Sequence, residues 1–431
     1  MNRQRWQVHP EVIIVAQKIT ESPCLSIATS LPADARTIGL VGFAHLASHF
    51  FQLVIPPMFP VLKEEFGLGY TELGFVMTLF FIVSGGLQTV AGVVADRYGA
   101  RLVLFWGVAL ISLGILLCGL APSYPLLIAA AVIAGIGNSV FHPAGFAILN
   151  ARVDVSRLGH AFSVFNIGGH LGWALAPVYL FAVAAWGWRV SLMGAGLLGF
   201  AMLALLWTQR DAMYVAVKAA EAAGTDANNA PGPGLGDLRV LAAPAVLMCF
   251  LFFVLLSTSM VGTQNYLIPL LHALYDAPLL LGSSALTAYL LGSAAGTFTG
   301  GFVVTRSRHP ERVAAGGVLA LALFYLLLAS GTVPLMLIVA GAVLAGFSLG
   351  ITLPARDMLV RGIAPERSRG KVYGFVYSGL DLGAAIAPSL LGWQLDHGQA
   401  AGALITLAAM LLFAILLIVL TRRSQQRAAP A

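Results

Sequence analysis

Only 10% of this 431-residue chain is Asp, Glu, Lys or Arg, so the few polar groups inside its apolar runs are conspicuous. His45 and His49 are four residues apart and Gln52 three further on, which puts all three on one face of a helix. His142 stands immediately before Pro143, His170 lies in another apolar run, and Asp381 sits between Gly379 and Gly383 in a third. Imidazoles can exchange protons near neutral pH, hydrogen-bond an anion, or ligate a metal. A carboxyl with no basic residue within a helical turn must be paired from another helix or carry a proton. For each histidine, packing as a neutral, hydrogen-bonded ring is the competing reading. His45 and His49 give two metal ligands, but no third ligand or acid follows at matching spacing, so neither a metal nor a cofactor is expected. Cys24, Cys118 and Cys249 are isolated, and no nucleophile and base stand together, so the chain does not read as an enzyme.

The elements carrying these groups must be membrane spans. A mean hydropathy of +0.88 and 59% hydrophobic residues exclude a soluble domain. A bilayer core of about 30 Å takes about 20 helical residues. Twelve runs are long enough, at roughly 38–62, 71–95, 101–121, 124–150, 160–186, 188–209, 243–271, 278–305, 312–332, 333–360, 370–396 and 398–421. The expected fold class is therefore an all-α integral membrane protein with twelve transmembrane helices. A tail (1–36), a six-helix half (37–209), a polar linker (210–242), a second half (243–422) and a short tail (423–431) divide the chain. Val12 to Ala16 is too short for a signal-peptide core.

Basic residues orient the spans. Arg97, Arg101, Arg152, Arg157, Arg306, Arg308, Arg312, Arg361, Arg367, Arg369 and Lys371 fall on one side with both termini, against Lys63 and Arg189 on the other. Short cytoplasmic loops carry such an excess, so both termini are expected in the cytoplasm. The net charge of +6 is then a topology signal, and no nucleic-acid partner is expected.

The chain also repeats. A shift of 211 positions carries Gly135 onto Gly346, Pro143 onto Pro354, Gly168 onto Gly379, Gly172 onto Gly383 and Pro177 onto Pro388. Parallel homologous halves of this kind mark one class of secondary transporter. Gly168, Gly172 and Ala176, their counterparts Gly379, Gly383 and Ala387, and Gly292, Gly296 and Gly300 form small helical faces that allow close approach, static or sliding. The string Gly194 to Gly199 matches a dinucleotide fingerprint but lies within an apolar span, so it reads as helix packing.

The loop Gly92-Val-Val-Ala-Asp96-Arg97-Tyr-Gly99-Ala-Arg101 resembles the G-x-x-x-D-R-x-G-R-R/K loop of the major facilitator superfamily, with Ala100 replacing a basic residue. Gly42 to Pro56, Gly135 to Pro143 and Phe165 to Pro177 are similar to the fosmidomycin-resistance branch of that superfamily. The sequence departs from the branch in having Ala144 after Pro143, where the branch typically has an acid, and His49 where the branch has an acid in the first span. The resemblance implies a monomeric, multi-pass protein of the bacterial inner membrane that moves a small molecule by alternating access. It also implies that the small-faced spans lie between the halves, which favours sliding. Substrate contacts are expected at His45, His49, Gln52 and His142, and at Gln264, Asn265 and Tyr266 in the seventh span. Asp381 and its repeat counterpart His170 are expected to handle the driving proton. Asp96, Arg97, Gly99, Arg101, Arg356 and Asp357 are expected to gate. The expected function is proton-coupled export of a small polar or anionic, antibiotic-like compound of the fosmidomycin type. Proton-coupled uptake of an organic acid is the alternative, and a transport-inactive membrane sensor or scaffold is the second.

Overall fold

The computed structural model describes residues 30–215, 240–307, 309–363 and 369–428. The expected N-terminal tail up to residue 29, the linker between 216 and 239, Arg308 and Arg367 lie outside these residues. Among the described residues, twelve helices are long and apolar enough to cross a membrane: Leu31–Phe66, Tyr70–Tyr98, Ala100–Leu120, Tyr124–Arg152, Val155–Val183, Trp188–Thr208, Pro244–Tyr275, Leu279–Arg306, Pro310–Ala329, Leu335–Ile363, Val372–Asp396 and Ala400–Arg423. They are numbered here as spans one to twelve. Span one begins at Leu31, so its first turns take up residues expected in the tail.

The spans form two bundles of six with matching contacts. Span one packs on five and three on six; correspondingly seven packs on eleven and nine on twelve. Between the bundles, two packs on eleven and five on eight. Large apolar side chains such as Trp106, Phe298, Met336 and Leu344 are exposed, as a lipid-facing surface requires.

The structure corrects the expectation that the small-residue faces form a sliding seam. Those faces pack inside each half. A Cβ at Gly168 would lie 2.6 Å from the Gly42 carbonyl oxygen, and one at Gly172 would meet the Leu46 carbonyl and the Phe50 nitrogen, all in span one. Gly379 and Gly383 make the same approach to Phe250 and Val254 of span seven, and Gly292, Gly296 and Gly300 face Val343, Phe347 and Ile351 of span ten. Backbone meets backbone at these positions, so the small faces serve close packing inside each half, which the spacing alone could not separate from a contact between the halves. Other glycines serve the seam: Gly74 and Gly85 of span two face Pro388 and Asp381 of span eleven, and Gly392 of span eleven faces Tyr70.

The end of the molecule at which span one begins is called the near face, the opposite end the far face. Three ion pairs at the near face each lie within one half: Arg157 to Asp34 at 2.6 Å, Arg101 to Asp211 at 3.8 Å, and Arg422 to Glu311 at 3.1 Å. In the turn before span five, the Asp154 carboxylate accepts from the Ser156 N–H and hydroxyl, which holds its pKa below the usual carboxylate range. The far face is different, because there the halves are tied together. Asp396 of span eleven accepts from the N–H groups of Tyr70 and Thr71, each at 2.7 Å, and from the Thr71 hydroxyl at 2.6 Å. Tyr266 of span seven donates to the Tyr70 carbonyl at 2.9 Å, and Thr78 donates to Ala385 O at 2.7 Å.

Candidate functional site

The histidine face of span one is completed by span four. The helix stops at Asn138 and restarts at Phe141, because Pro143 has no N–H to continue the ladder. The restart carries His142 to His45, with ring centroids 5.0 Å apart, and to His49 at 6.2 Å; His45 and His49 are 4.3 Å apart. The sequence showed no third group near His45 and His49, and the structure corrects that. The three rings each present a nitrogen, and these nitrogens all lie within 4.8 Å of one another. Residue spacing could not reveal this, since the partner comes from a helix elsewhere in the chain.

Span five forms the back wall. His45 Nδ1 lies 2.7 Å from the Phe165 carbonyl oxygen and so carries the donated proton, while its ring stacks on Phe165 at 3.7 Å. The Nε2 of the same ring and Nδ1 of His49 are buried without a hydrogen-bond partner. Gly169 leaves room for both rings, since a Cβ there would stand 2.8 Å from His45 Cε1 and 2.9 Å from His49 Cε1. Gln52 is held by Trp173, whose indole N–H donates to it at 2.6 Å, and Trp173 lies against His49 at 4.2 Å. Trp173, Phe165 and Asn138 are the residues sequence reasoning missed. Asn138 accepts from Ser48 at 2.9 Å and donates to Ser84 at 2.8 Å, tying spans one, two and four beside the cluster. Its place at the end of the helix before the proline break was the available signal.

The two groups expected to handle a proton both stand between the halves. Asp381 packs on Gly85 of span two, where a Cβ would come within 2.9 Å of its carboxyl carbon. Among the described residues, no ion pair or hydrogen bond engages the Asp381 carboxyl. His170 Nδ1 lies 3.0 Å from Asn166 O of its own helix, and Nε2 faces the Thr297 hydroxyl of span eight at 3.5 Å. The repeat thus places its two titratable members on the two inter-half seams, five on eight and two on eleven.

The remaining candidates are dispersed. Gln264, Asn265 and Tyr266 are 4%, 3% and 0% exposed. Asn265 donates to Val261 O and Tyr266 belongs to the far-face tie. Among the described residues, no hydrogen bond or ring contact joins these three to the histidines. Arg356 binds Asp357 at 3.0 Å and lies over Phe253 at 4.7 Å and Tyr377 at 5.8 Å, all within the second half. Gly99 has φ +95, which only glycine adopts without strain, and links spans two and three. Arg101 donates to Arg210 O and lies over Tyr214, so it fastens the chain leaving span six. Asp96 and Arg97 are exposed at the near face.

The Major Facilitator Superfamily model matches residues 41–284 and 250–431. The chain is 28% identical over 386 residues to the fosmidomycin resistance protein of Escherichia coli (strain K12), covering 86% of this chain and 90% of that protein. It is 24% identical to the hexuronate transporter of Bacillus subtilis (strain 168), over 84% of this chain and 88% of that one. In fold it is similar to the crystal structure of a bacterial homolog of the human lysosomal transporter Spinster, with a TM-score of 0.76, 16% identity and coverage of 94% of this chain and all of that one.

Proposed function

The chain belongs to the major facilitator superfamily, and from that premise we propose that it exports a small polar or anionic compound by proton-coupled alternating access. The membrane is the bacterial cytoplasmic membrane, with the near face and both termini in the cytoplasm. The basic residues at the near-face ends of the spans support that orientation. The observation that carries the reading is the pairing of a histidine cluster inside one half with a carboxyl, Asp381, that no ion pair or hydrogen bond engages among the described residues, on the seam between the halves. A group that binds cargo and a group that can take a proton where two bodies meet are what coupled transport requires. The likeness to a fosmidomycin resistance protein over most of both chains supports export of an antibiotic-like phosphonate. The likeness to a hexuronate transporter favours the alternative, uptake of an organic acid, because the same donors suit a carboxylate.

In this reading the cargo meets His45, His49, Gln52 and His142 from the first half and Gln264 and Asn265 from the second. Asp96 and Arg97 close the near face in the opposite state. Purified protein in liposomes under an imposed pH gradient tests it, with fosmidomycin-type phosphonates and hexuronates as cargo. Gradient-driven movement of a phosphonate against the proton flow supports export, and movement of a hexuronate with the protons supports uptake. Binding of either cargo without gradient-dependent flux would overturn both and leave a sensor.

A further inference from the structure

The geometry points to a divalent transition-metal site, of the zinc class, formed by His45, His49 and His142. It lies at the proposed cargo site and rests on that reading only for what the cargo would meet, since metal binding is tested without cargo or gradient. Each ring offers one nitrogen, and the three nitrogens lie within 4.8 Å of one another. Zinc–nitrogen bonds of about 2.0–2.1 Å in a tetrahedron put the ligand nitrogens about 3.3 Å apart. Small turns of the His49 and His142 rings would close that gap, and both side chains keep some free surface.

Two independent features separate this cluster from three rings that merely pack. His45 is 2% exposed, yet its Nε2 has no hydrogen-bond partner, and the buried Nδ1 of His49 has none either. A buried polar atom left unpaired costs about 1–3 kcal/mol, so two on adjacent rings are unfavourable unless a ligand fills the space. Further, the Phe165 carbonyl takes the Nδ1 proton of His45 at 2.7 Å, which leaves Nε2 as a lone pair directed away from that bond. Holding the far ring nitrogen on a backbone carbonyl is how proteins orient a metal-bound imidazole.

The donor set selects the metal. Three imidazoles without a carboxylate suit Zn2+, Co2+, Ni2+ or Cu2+ and are poor ligands for Mg2+ and Ca2+, which take oxygen. Neutral ligands leave the ion's double charge uncompensated in an apolar setting, so the fourth position favours hydroxide or an oxyanion. Cargo of the proposed anionic kind would then meet the metal rather than the rings.

The test is zinc and cobalt binding by tag-free protein, stripped with chelator and titrated against a chromogenic competitor. One Zn2+ per chain is expected, with the intense visible absorption of four-coordinate Co2+ and no competition by Mg2+. His45→Asn and His142→Asn should each weaken Zn2+ more than about 100-fold, since even an outer-shell loss costs about 10–100-fold. His142→Cys should retain binding, because a thiolate replaces the lost ligand, and His160→Asn, an exposed site in span five, should change nothing. Absence of stoichiometric zinc in the native protein, or affinity unchanged in both Asn variants, would overturn the site. Should the Asn variants fail to fold, a six-coordinate Co2+ spectrum in the native protein would overturn it equally.

Discussion

Asp381 is tolerable on the seam because Gly85 faces it: any side chain at residue 85 would collide with the carboxyl, and the glycine lets spans two and eleven close over it. With no cation or donor engaging it among the described residues, the carboxyl changes charge most easily when the seam opens to water. Asp381→Asn keeps the shape and removes the titration. It should reduce gradient-driven accumulation in liposomes to the background of empty vesicles, while cargo affinity changes by less than about tenfold, or about 1.4 kcal/mol. Accumulation that persists in Asp381→Asn would remove the proton role. The place of this residue, though not its role, was legible in the sequence, since the repeat set it opposite His170 and its neighbours were small and apolar. The histidine cluster was only two-thirds legible. His45 and His49 share a face by spacing, but His142 joins them through a proline break in a span that periodicity cannot fold back onto span one.

At the scale of elements, sequence spacing identified faces but not their partners. Glycines four apart on spans five and eleven announce close approach, yet the neighbours are spans one and seven of the same half, as the backbone contacts of Gly172 and Gly383 make plain. Twelve spans and their two-half arrangement were readable because hydropathy and the repeat are properties of the chain itself. Which helix a small face meets depends on packing in three dimensions. If the face of span five is fixed packing, Gly172→Val must push against the Leu46 carbonyl and the Phe50 nitrogen, neither of which can swing away. A loss of about 1–3 kcal/mol is expected from such overpacking, seen as a lower melting temperature in detergent. Gly159, on the same helix, has nothing within 4 Å of a built Cβ. Gly159→Ala should therefore be neutral or gain up to about 1 kcal/mol. Equal melting of Gly172→Val and the native protein would restore the sliding interpretation.

For the whole molecule, the distribution of ties decides which way the halves are poised. Among the described residues, the polar ties seen between them lie at the far face or at mid-depth, and the chief one is Asp396. A carboxylate from span eleven caps the start of span two, where unpaired N–H groups and the helix dipole favour negative charge. Lys63 stands 3.6 Å from the same carboxylate. Opening the far face must break this cap together with the Tyr266 and Thr78 bonds, so the cap holds the molecule in the state seen here. A hydrogen bond to a charged group contributes about 1.5–3 kcal/mol, and losing that much shifts a two-state population about tenfold or more. Spin labels at the exposed positions Glu64 and Gln399, one in each half at the far face, read the separation directly. Asp396→Ala should convert a short, narrow distance distribution into one with a substantial longer component. Asp96→Asn acts at the other end, where Asp96 and Arg97 are exposed in this state. If those charges hold the near face shut in the opposite state, neutralising Asp96 removes support from that state alone and should shrink any longer component. A longer component of equal weight in Asp396→Ala and in the native protein would mean that apolar packing, rather than the cap, keeps the far face closed.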